Sequence, residues 1–403
     1  MFHIHSFENG LVLLAEAMPA CESVACSLRV PCGVNDDAAE RAGLAEMLCD
    51  MSLRGAGRYD ERQLVAALEN LGCERNESVG AVHTTYEMAM LAAHLHDAVD
   101  ILADIVRRPH LPPGGLEESR TILLNEQLSL QDDPARLAFL ELKRCFYPDP
   151  WGRSSLGNAD SVSLVTLDDL HVAHDRLFRP NGAILSVAGR FDWPRLLEQV
   201  GMLFGDWPRR EVPLLVERPR ETTLLHVSAE TEQTEIAVAY PSVPFTHPDY
   251  LKAWSSAGIL SGGMSCRLFR EVREKRGLCY SVGASYTSLP HLGAVFCQCG
   301  TGNDRAGEAL EVILRELDRL ADGVEPEELD RLKIRARSIL VMQQESTAAR
   351  CDAIARDWYY LGRLRTLREI EEAVLALTKE EIDAYLKEHP AGPYTIVTLG
   401  PEQ

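Results

Sequence analysis

Within the stretch Arg41-Ala42-Gly43-Leu44-Ala45-Glu46-Met47-Leu48-Cys49-Asp50-Met51, two carboxylates and a thiol fall at Glu46, Cys49 and Asp50. That spacing of i, i+3 and i+4 puts all three on one face of a helix. Leu44, Met47, Leu48 and Met51 take its apolar face. Oxygen donors suit a hard cation such as Mg²⁺ or Ca²⁺. Zinc hydrolysis wants imidazole ligands and a carboxylate base, and here a thiol stands between carboxylates. Cys49 is equally well explained as a small buried hydrophobe. Histidines elsewhere offer no substitute: His94 and His96 face apart on a helix, and His171 and His174 have no acidic motif behind them.

The frame of this stretch resembles the inverted zinc motif H-x-x-E-H of the insulinase and mitochondrial processing peptidase family, peptidase family M16, with all three chemical residues replaced. The resemblance implies a third ligand position at Glu126, in Leu123-Leu124-Asn125-Glu126-Gln127, so one ligand of three survives; Ser119 stands where the family often has another Glu. If that fold holds, Glu46, Asp50 and Glu126 converge and repel one another. A protonated carboxyl, an Arg or Lys reaching in, open access to water, or a hard cation would each relieve them.

The stretch from Leu260 to Val282 closely resembles the family's C-terminal signature. Physically, a small-residue turn opens a helix, Gly277 closes it, and a strand begins at Cys279. The resemblance implies that Arg273 and Tyr280, seven residues apart, hold the substrate backbone. A guanidinium fork binds carbonyls or a carboxylate, and a phenol stabilises a developing oxyanion. More weakly, Glu74, Arg75, Asn76, Glu77 and Ser78 resemble the edge strand on which the family lays its peptide by β-addition. The charges there would also serve simply to block aggregation. Gly300-Thr301-Gly302-Asn303-Asp304 lacks the Lys-Ser/Thr of a phosphate loop, and Asn303 or Asp304 reads as the N-cap of the next helix.

These residues need a scaffold, and the chain carries two copies of one. Thr166-Leu167-Asp168-Asp169-Leu170 recurs as Thr378-Lys379-Glu380-Glu381-Ile382, and each is followed by a helix, a Pro and a β-rich run ending in Gly189 or Gly400. Long repeats of this kind are duplicated domains. Strand signals at 11–15, 23–30, 235–240 and 280–286 alternate with helical periodicity over 38–54, 60–72, 94–108, 114–131, 134–147, 167–178, 248–261, 304–322 and 325–344. The expected class is α+β: two homologous domains, each a mainly antiparallel sheet with helices packed on one face, which the resemblance refines to the LuxS/MPP-like metallopeptidase fold. The expected boundaries are 1–206 and 223–403, joined by a proline-bearing linker over 207–222.

A net charge of −20 argues against nucleic-acid binding and would suit a basic peptide. No apolar run approaches a membrane span and no signal peptide is visible. Eleven cysteines without a C-x-x-C pair read as reduced cytoplasmic thiols. The resulting expectation is a pseudoenzyme of the M16B type that binds no metal itself. It would act as the non-zinc subunit of a heterodimer, bind unfolded peptide, and supply Arg273 and Tyr280 to a homologous partner that carries H-x-x-E-H and the zinc. A structural scaffold, a peptide-binding homodimer and an enzyme with an unorthodox metal are the competing readings.

Overall fold

The computed structural model describes residues 1–402. The chain divides into two compact units: Met1–Ser129 with Arg153–Glu217 and Met342–Leu364, and Leu130–Gly152 with Arg218–Val341 and everything from Arg365 onward.

In the first half of the chain lie strands β1 (Phe2–Ser6), β2 (Val12–Ala17), β3 (Ser23–Val30), β4 (Glu74–Val79), β5 (Thr84–Leu91) and β6 (Ile184–Gly189). Its helices are α1 (Leu44–Ser52), α2 (Glu61–Asn70), α3 (Leu95–Arg107), α4 (Leu116–Ser129), α5 (Pro134–Phe146), α6 (Ala159–Ser163), α7 (Leu167–Leu177) and α8 (Trp193–Phe204). The second half holds β7 (Leu224–Ser228), β8 (Gln233–Ser242), β9 (Cys279–Ser288), β10 (Gly293–Gly302) and β11 (Thr395–Gly400), with α9 (Tyr250–Leu260), α10 (Ala306–Asp318), α11 (Pro326–Gln343), α12 (Thr347–Leu361), α13 (Leu367–Ala376) and α14 (Lys379–Glu388). None of the described helices is long and apolar enough to cross a membrane.

The two sheets run β1-β2-β6-β3-β5-β4 and β7-β11-β8-β10-β9. Dropping β1 makes them the same sheet, strand for strand, with β2–β6 and β7–β11 as the corresponding parallel pairs. This is the α+β duplication expected from the repeats. The recurring Thr pentapeptide has a local reason as well. Asp169 N donates to Thr166 Oγ1 and Thr166 N to Asp169 Oδ2, and Glu381 N and Thr378 repeat the reciprocal pair at the start of α14. Each copy is a capping box that fixes where α7 or α14 begins.

Most helices of each unit bury their apolar faces on one side of its sheet. The other side carries a helix from the opposite half of the sequence. α12 packs across β6, β3 and β2 of the first unit, and α5 packs across β11 and β8 of the second. Ile354 and Ala355 close over Leu14 and Ile184, and Phe139 and Phe146 meet the Phe296 ring edge-on at 5.2 and 5.7 Å. A strand covered on both faces loses its polar alternation, which is why β6 reads Ile-Leu-Ser-Val-Ala-Gly and is buried at every residue.

Charge pins the exchanged helix. Arg350 of α12 is 2% exposed and sets both Nε and Nη2 2.8 Å from Glu16 of β2, while Arg29 of β3 reaches Asp352 at 2.5 Å. Removing one member of a buried pair leaves the other charge uncompensated. Glu16→Ala is therefore expected to cost about 3 kcal/mol. The measurements are urea unfolding and limited proteolysis, which should cut first at 342–364; a wild-type midpoint would show that apolar packing alone docks α12.

Candidate functional site

α1 begins later than its periodicity suggests. A short 3₁₀ turn, Ala39–Arg41, precedes it, and the break comes at Gly43, which takes a φ of 97° and where a Cβ would lie 3.0 Å from Val162 Cγ2. The Asp37 carboxylate accepts from the amides of Gly43 and Ala45 at 2.9 and 3.0 Å and so fastens the start of the helix.

On α1, Glu46 is partly buried. Burial raises its carboxyl above the ordinary range, the negative charges of Glu126 and Asp50 push the same way, and a hydrogen bond with Ser155 opposes them. The three acidic positions thus lie within electrostatic range of one another. Asp50 does not face the others alone, since Arg54 Nε binds its Oδ2 at 2.9 Å. The same guanidinium, 8% exposed, reaches Glu118 at 2.6 Å and Glu61 at 3.4 Å. Glu118 immediately precedes Ser119, which is fully buried on α4. Arg54 has a sequence signal, the i, i+4 Asp-to-Arg spacing that carries from α1 into the turn just past its C-cap Leu53. Ser155 has none, because it arrives from a distant loop.

Cys49 is 4% exposed, and burial raises its thiol well above the ordinary value, with Glu46 and Glu77 adding to the rise. Its side chain bonds Tyr86, whose hydroxyl lies 2.8 Å from Ser52 Oγ. A buried thiol raised in this way is a poor general base.

The donor set does not fit zinc. No imidazole joins α1, the thiol is held protonated, and Asp50 is engaged by a guanidinium. Among the described residues no group of three or more His, Cys, Asp and Glu side chains is placed to hold a metal ion.

β4 lies at one edge of its sheet, paired only with β5. Glu74, Arg75, Asn76 and Ser78 are exposed and Glu77 half-buried. Arg75 and Glu77 pair at 3.0 Å, and Asn76 binds Glu87 across the strands at 3.3 Å. The edge is therefore charged but nearly self-neutral, and its outer backbone groups are open to β-addition.

The second constellation lies in the second unit. After α9, a turn over 261–266 leads into a helix that widens to π geometry over Phe269–Glu274. Lys275 N donates to Arg270 O, Gly277 N to Arg273 O, and Leu278 N to Val272 O. Gly277 has a φ of 60° and closes with an ordinary i→i−4 bond, so its expected role at the helix end stands, whereas the Lys275 and Leu278 bonds on either side span one residue more than in an α-helical C-cap. The extra residue presents Arg273 to β9. Its Cζ lies 4.8 Å from the Phe269 ring centre and 4.9 Å from that of Tyr280, the first exposed residue of the strand. Tyr280 is 80% exposed. Neither Arg273 nor the Tyr280 hydroxyl has a hydrogen-bond or ion-pair partner among the described residues. Next to them, a hydrogen bond with Cys299 and the charge of Arg273 bring the Cys279 thiol below its ordinary value despite burial.

Glu271 anchors this turn. Burial would raise its carboxyl, but Lys275 at 2.7 Å, Arg276 at 3.1 Å and Arg270 at 3.4 Å carry it down to about 2. A depressed acid stabilises the fold while it is ionised and gives up that stability as pH falls from its free value of 4.5 through about 2. Acid titration followed by tryptophan and tyrosine fluorescence should therefore show a loss below about pH 4.5 that is smaller in Glu271→Gln. A superimposable profile for the variant would remove Glu271 from this role.

Asn303 does not cap α10. Its Oδ1 accepts from Thr234 Oγ1 at 2.9 Å and its Nδ2 donates to Thr231 O at 2.9 Å, and the helix starts after Arg305 with no side-chain cap. The glycines before it follow the β10 strand and form no phosphate cradle.

Comparison with known proteins gives this architecture a lineage. Residues 12–158 match the model of the insulinase family, peptidase family M16, and residues 164–335 match that of the peptidase M16 inactive domain. An uncharacterised zinc protease of Mycobacterium tuberculosis is 30% identical over 410 aligned positions, covering 98% of this chain and 92% of its own length. Another from Bacillus subtilis is 24% identical and covers 100% and 98%. The structure of a peptidase M16 inactive domain from Pseudomonas fluorescens superposes with a TM-score of 0.90 at 21% identity, covering 100% of this chain and 98% of that one. A protease from Helicobacter pylori superposes equally well, at 18% identity. With both family models in tandem and near-complete coverage of a relative at 30% identity, the chain belongs to the insulinase family, peptidase family M16.

Proposed function

We propose that this chain is the non-zinc subunit of a two-chain zinc peptidase. It takes an extended peptide along β4 and presents Arg273 and Tyr280 to a scissile bond held at the H-x-x-E-H centre of a homologous partner. One observation carries the reading: a half-buried guanidinium and an exposed phenol, stacked on each other and without polar partners among the described residues, survive in a chain whose own metal-site positions are Glu46, Cys49, Asp50 and Glu126. A guanidinium with no carboxylate partner is free to take a peptide carbonyl, and an exposed phenol can donate to an oxyanion as it forms. The relatives named zinc proteases support the reaction class, while the donor set of α1 argues that the metal is supplied elsewhere.

The test uses the chain alone and then with a partner encoded beside it. After dialysis against zinc, the chain by itself should retain far less than one equivalent and should cleave no member of a peptide library. Adding the partner should produce chelator-sensitive cleavage. Near-stoichiometric zinc with cleavage by the isolated chain would refute the pseudoenzyme reading. Peptide binding with no gain on adding the partner would favour a binding protein outside proteolysis.

A further inference from the structure

In the second unit, between the C-terminal end of α9 and the middle of α11, lies a cleft of about 110 Å³ lined by Gly258, Gly262, Gly263, Cys266, Arg331 and Arg335 among others. It is well below the ~300–1,000 Å³ of pockets that enclose whole ligands, and suits a single small group. Its charge is unusual for a chain of net charge −20. Arg331 and Arg335 stand one helical turn apart on α11, and neither has a hydrogen-bond or ion-pair partner among the described residues. Glu328, which also lines the cleft, is already taken by Nε and Nη2 of Arg267 at 2.8 and 2.7 Å.

Arg335 also lies close against the turn that follows α9. A Cβ on Gly262 would fall 1.2 Å from its Nη1, and one on Gly258 would lie 3.9 Å from its Nη2 and 2.4 Å from Leu332 Cδ1. Gly262 therefore leaves the space that the guanidinium fills against bare backbone, and Gly258 the space that Leu332 fills beside it. The facing turn adds donors, since the amides of Gly262, Gly263, Met264 and Ser265 enter no backbone hydrogen bond among the described residues. Successive free amides on a turn make an anion-binding concavity. The Cys266 thiol, raised chiefly by burial, is drawn the other way by both guanidinium charges, so both lie within electrostatic reach of this cleft-lining group.

We propose that this cleft binds one small oxyanion group, a phosphate or a carboxylate, in the fork of Arg335, with Arg331 and the turn amides closing around it. A fork and two parallel acceptor oxygens match bidentately. The group comes either as a free inorganic anion or as the carboxylate that ends a peptide. This site is separate from Arg273 and Tyr280 and does not rest on the role proposed for them.

Isothermal titration of inorganic phosphate into the full chain, at ionic strength balanced with chloride, tests the inference. Saturable binding of one equivalent is expected. Arg335→Ala should weaken it at least about tenfold, as loss of a charge-assisted bidentate contact implies. Gly262→Ala should do the same without removing a charge, because it expels the guanidinium from that space. Arg331→Ala should weaken binding less, and Arg315→Ala, on a surface pair with Glu311, should leave it unchanged. Thermal melts identify any variant that fails to fold, and Arg331→Ala then carries the comparison. Displacement of phosphate by a short peptide with a free C-terminal carboxylate, but not by its amide, identifies the peptide terminus as the source. Failure of both peptides to displace it identifies a free anion. Absence of saturable binding, or wild-type affinity in folded Arg335→Ala and Arg331→Ala, overturns the proposal.

Discussion

Replacing Arg273 with Ala, or Tyr280 with Phe, is expected to lower kcat of the reconstituted two-chain peptidase by ~10²–10³, the usual cost of one preorganised oxyanion donor, while assembly stays intact. The expectation follows from the lack of polar partners around these groups. Arg273 lies over the Phe269 and Tyr280 rings and has no ion-pair partner among the described residues, so its fork is not spent on a structural ion pair. Tyr280, at 80% exposed, contributes little to the core. Truncating either should cost little stability, because exposed side chains outside special features rarely matter by more than ~0.5 kcal/mol. Arg273→Lys separates charge from geometry: an ammonium keeps the charge but loses the planar fork and its stacking. It should fall between wild type and Arg273→Ala. Turnover would be measured on complexes isolated by size exclusion, with zinc content checked in each. Near-normal kcat in Arg273→Ala and Tyr280→Phe would mean that this chain serves as a scaffold only, and the shared-site mechanism would have to be abandoned.

Much of the scaffold is legible from sequence because it is local. The repeated Thr motif announces two capping boxes, Gly277 announces a positive φ, and helical periods over 114–131 and 325–344 fall on α4 and α11. What escapes is decided over long sequence distances. The helical period over 134–147 falls on α5, but α12 lies outside the helical stretches expected from sequence, and nothing local states that each docks on the sheet built mainly by the other half. The only trace is the unbroken apolar run of β6, which says that both faces are covered without saying by what. Residue types at the α1 site are equally plain, and the partners that set their chemistry are not. Arg54 lies only four residues beyond Asp50 and can be anticipated, whereas Tyr86 and Ser155 reach Cys49 and Glu46 only through the tertiary fold. The π widening that faces Arg273 toward Tyr280 is likewise invisible in a stretch whose composition suits an ordinary α-helix.

The same signature depends on a buried ion pair, and breaking it should have the largest effect on stability of any single change proposed for this chain. Arg267 is 6% exposed just before the π turn. Its Nε and Nη2 bind the two oxygens of Glu328 at 2.8 and 2.7 Å, Nη2 also reaches Gly323 O at 2.8 Å, and Nη1 reaches Arg319 O at 3.2 Å. Glu328 in turn accepts from Glu325 N at 2.9 Å at the start of α11. Burial raises the Glu328 carboxyl, but the guanidinium outweighs it and the group lies below its ordinary range. One guanidinium thus ties the signature helix to the turn between α10 and α11. Glu328→Ala leaves that charge buried with only carbonyls for company, at an expected cost of about 3–5 kcal/mol. Arg267→Met leaves a buried carboxylate and should cost a comparable amount. The double variant Arg267→Met with Glu328→Leu buries no charge, so its loss should be smaller than either single one, as is common when apolar groups of similar size replace a buried pair. Denaturant unfolding of the four proteins supplies the cycle. Losses that simply add in the double variant would show that the pair is not coupled and that packing around α11, rather than charge, holds the signature in place.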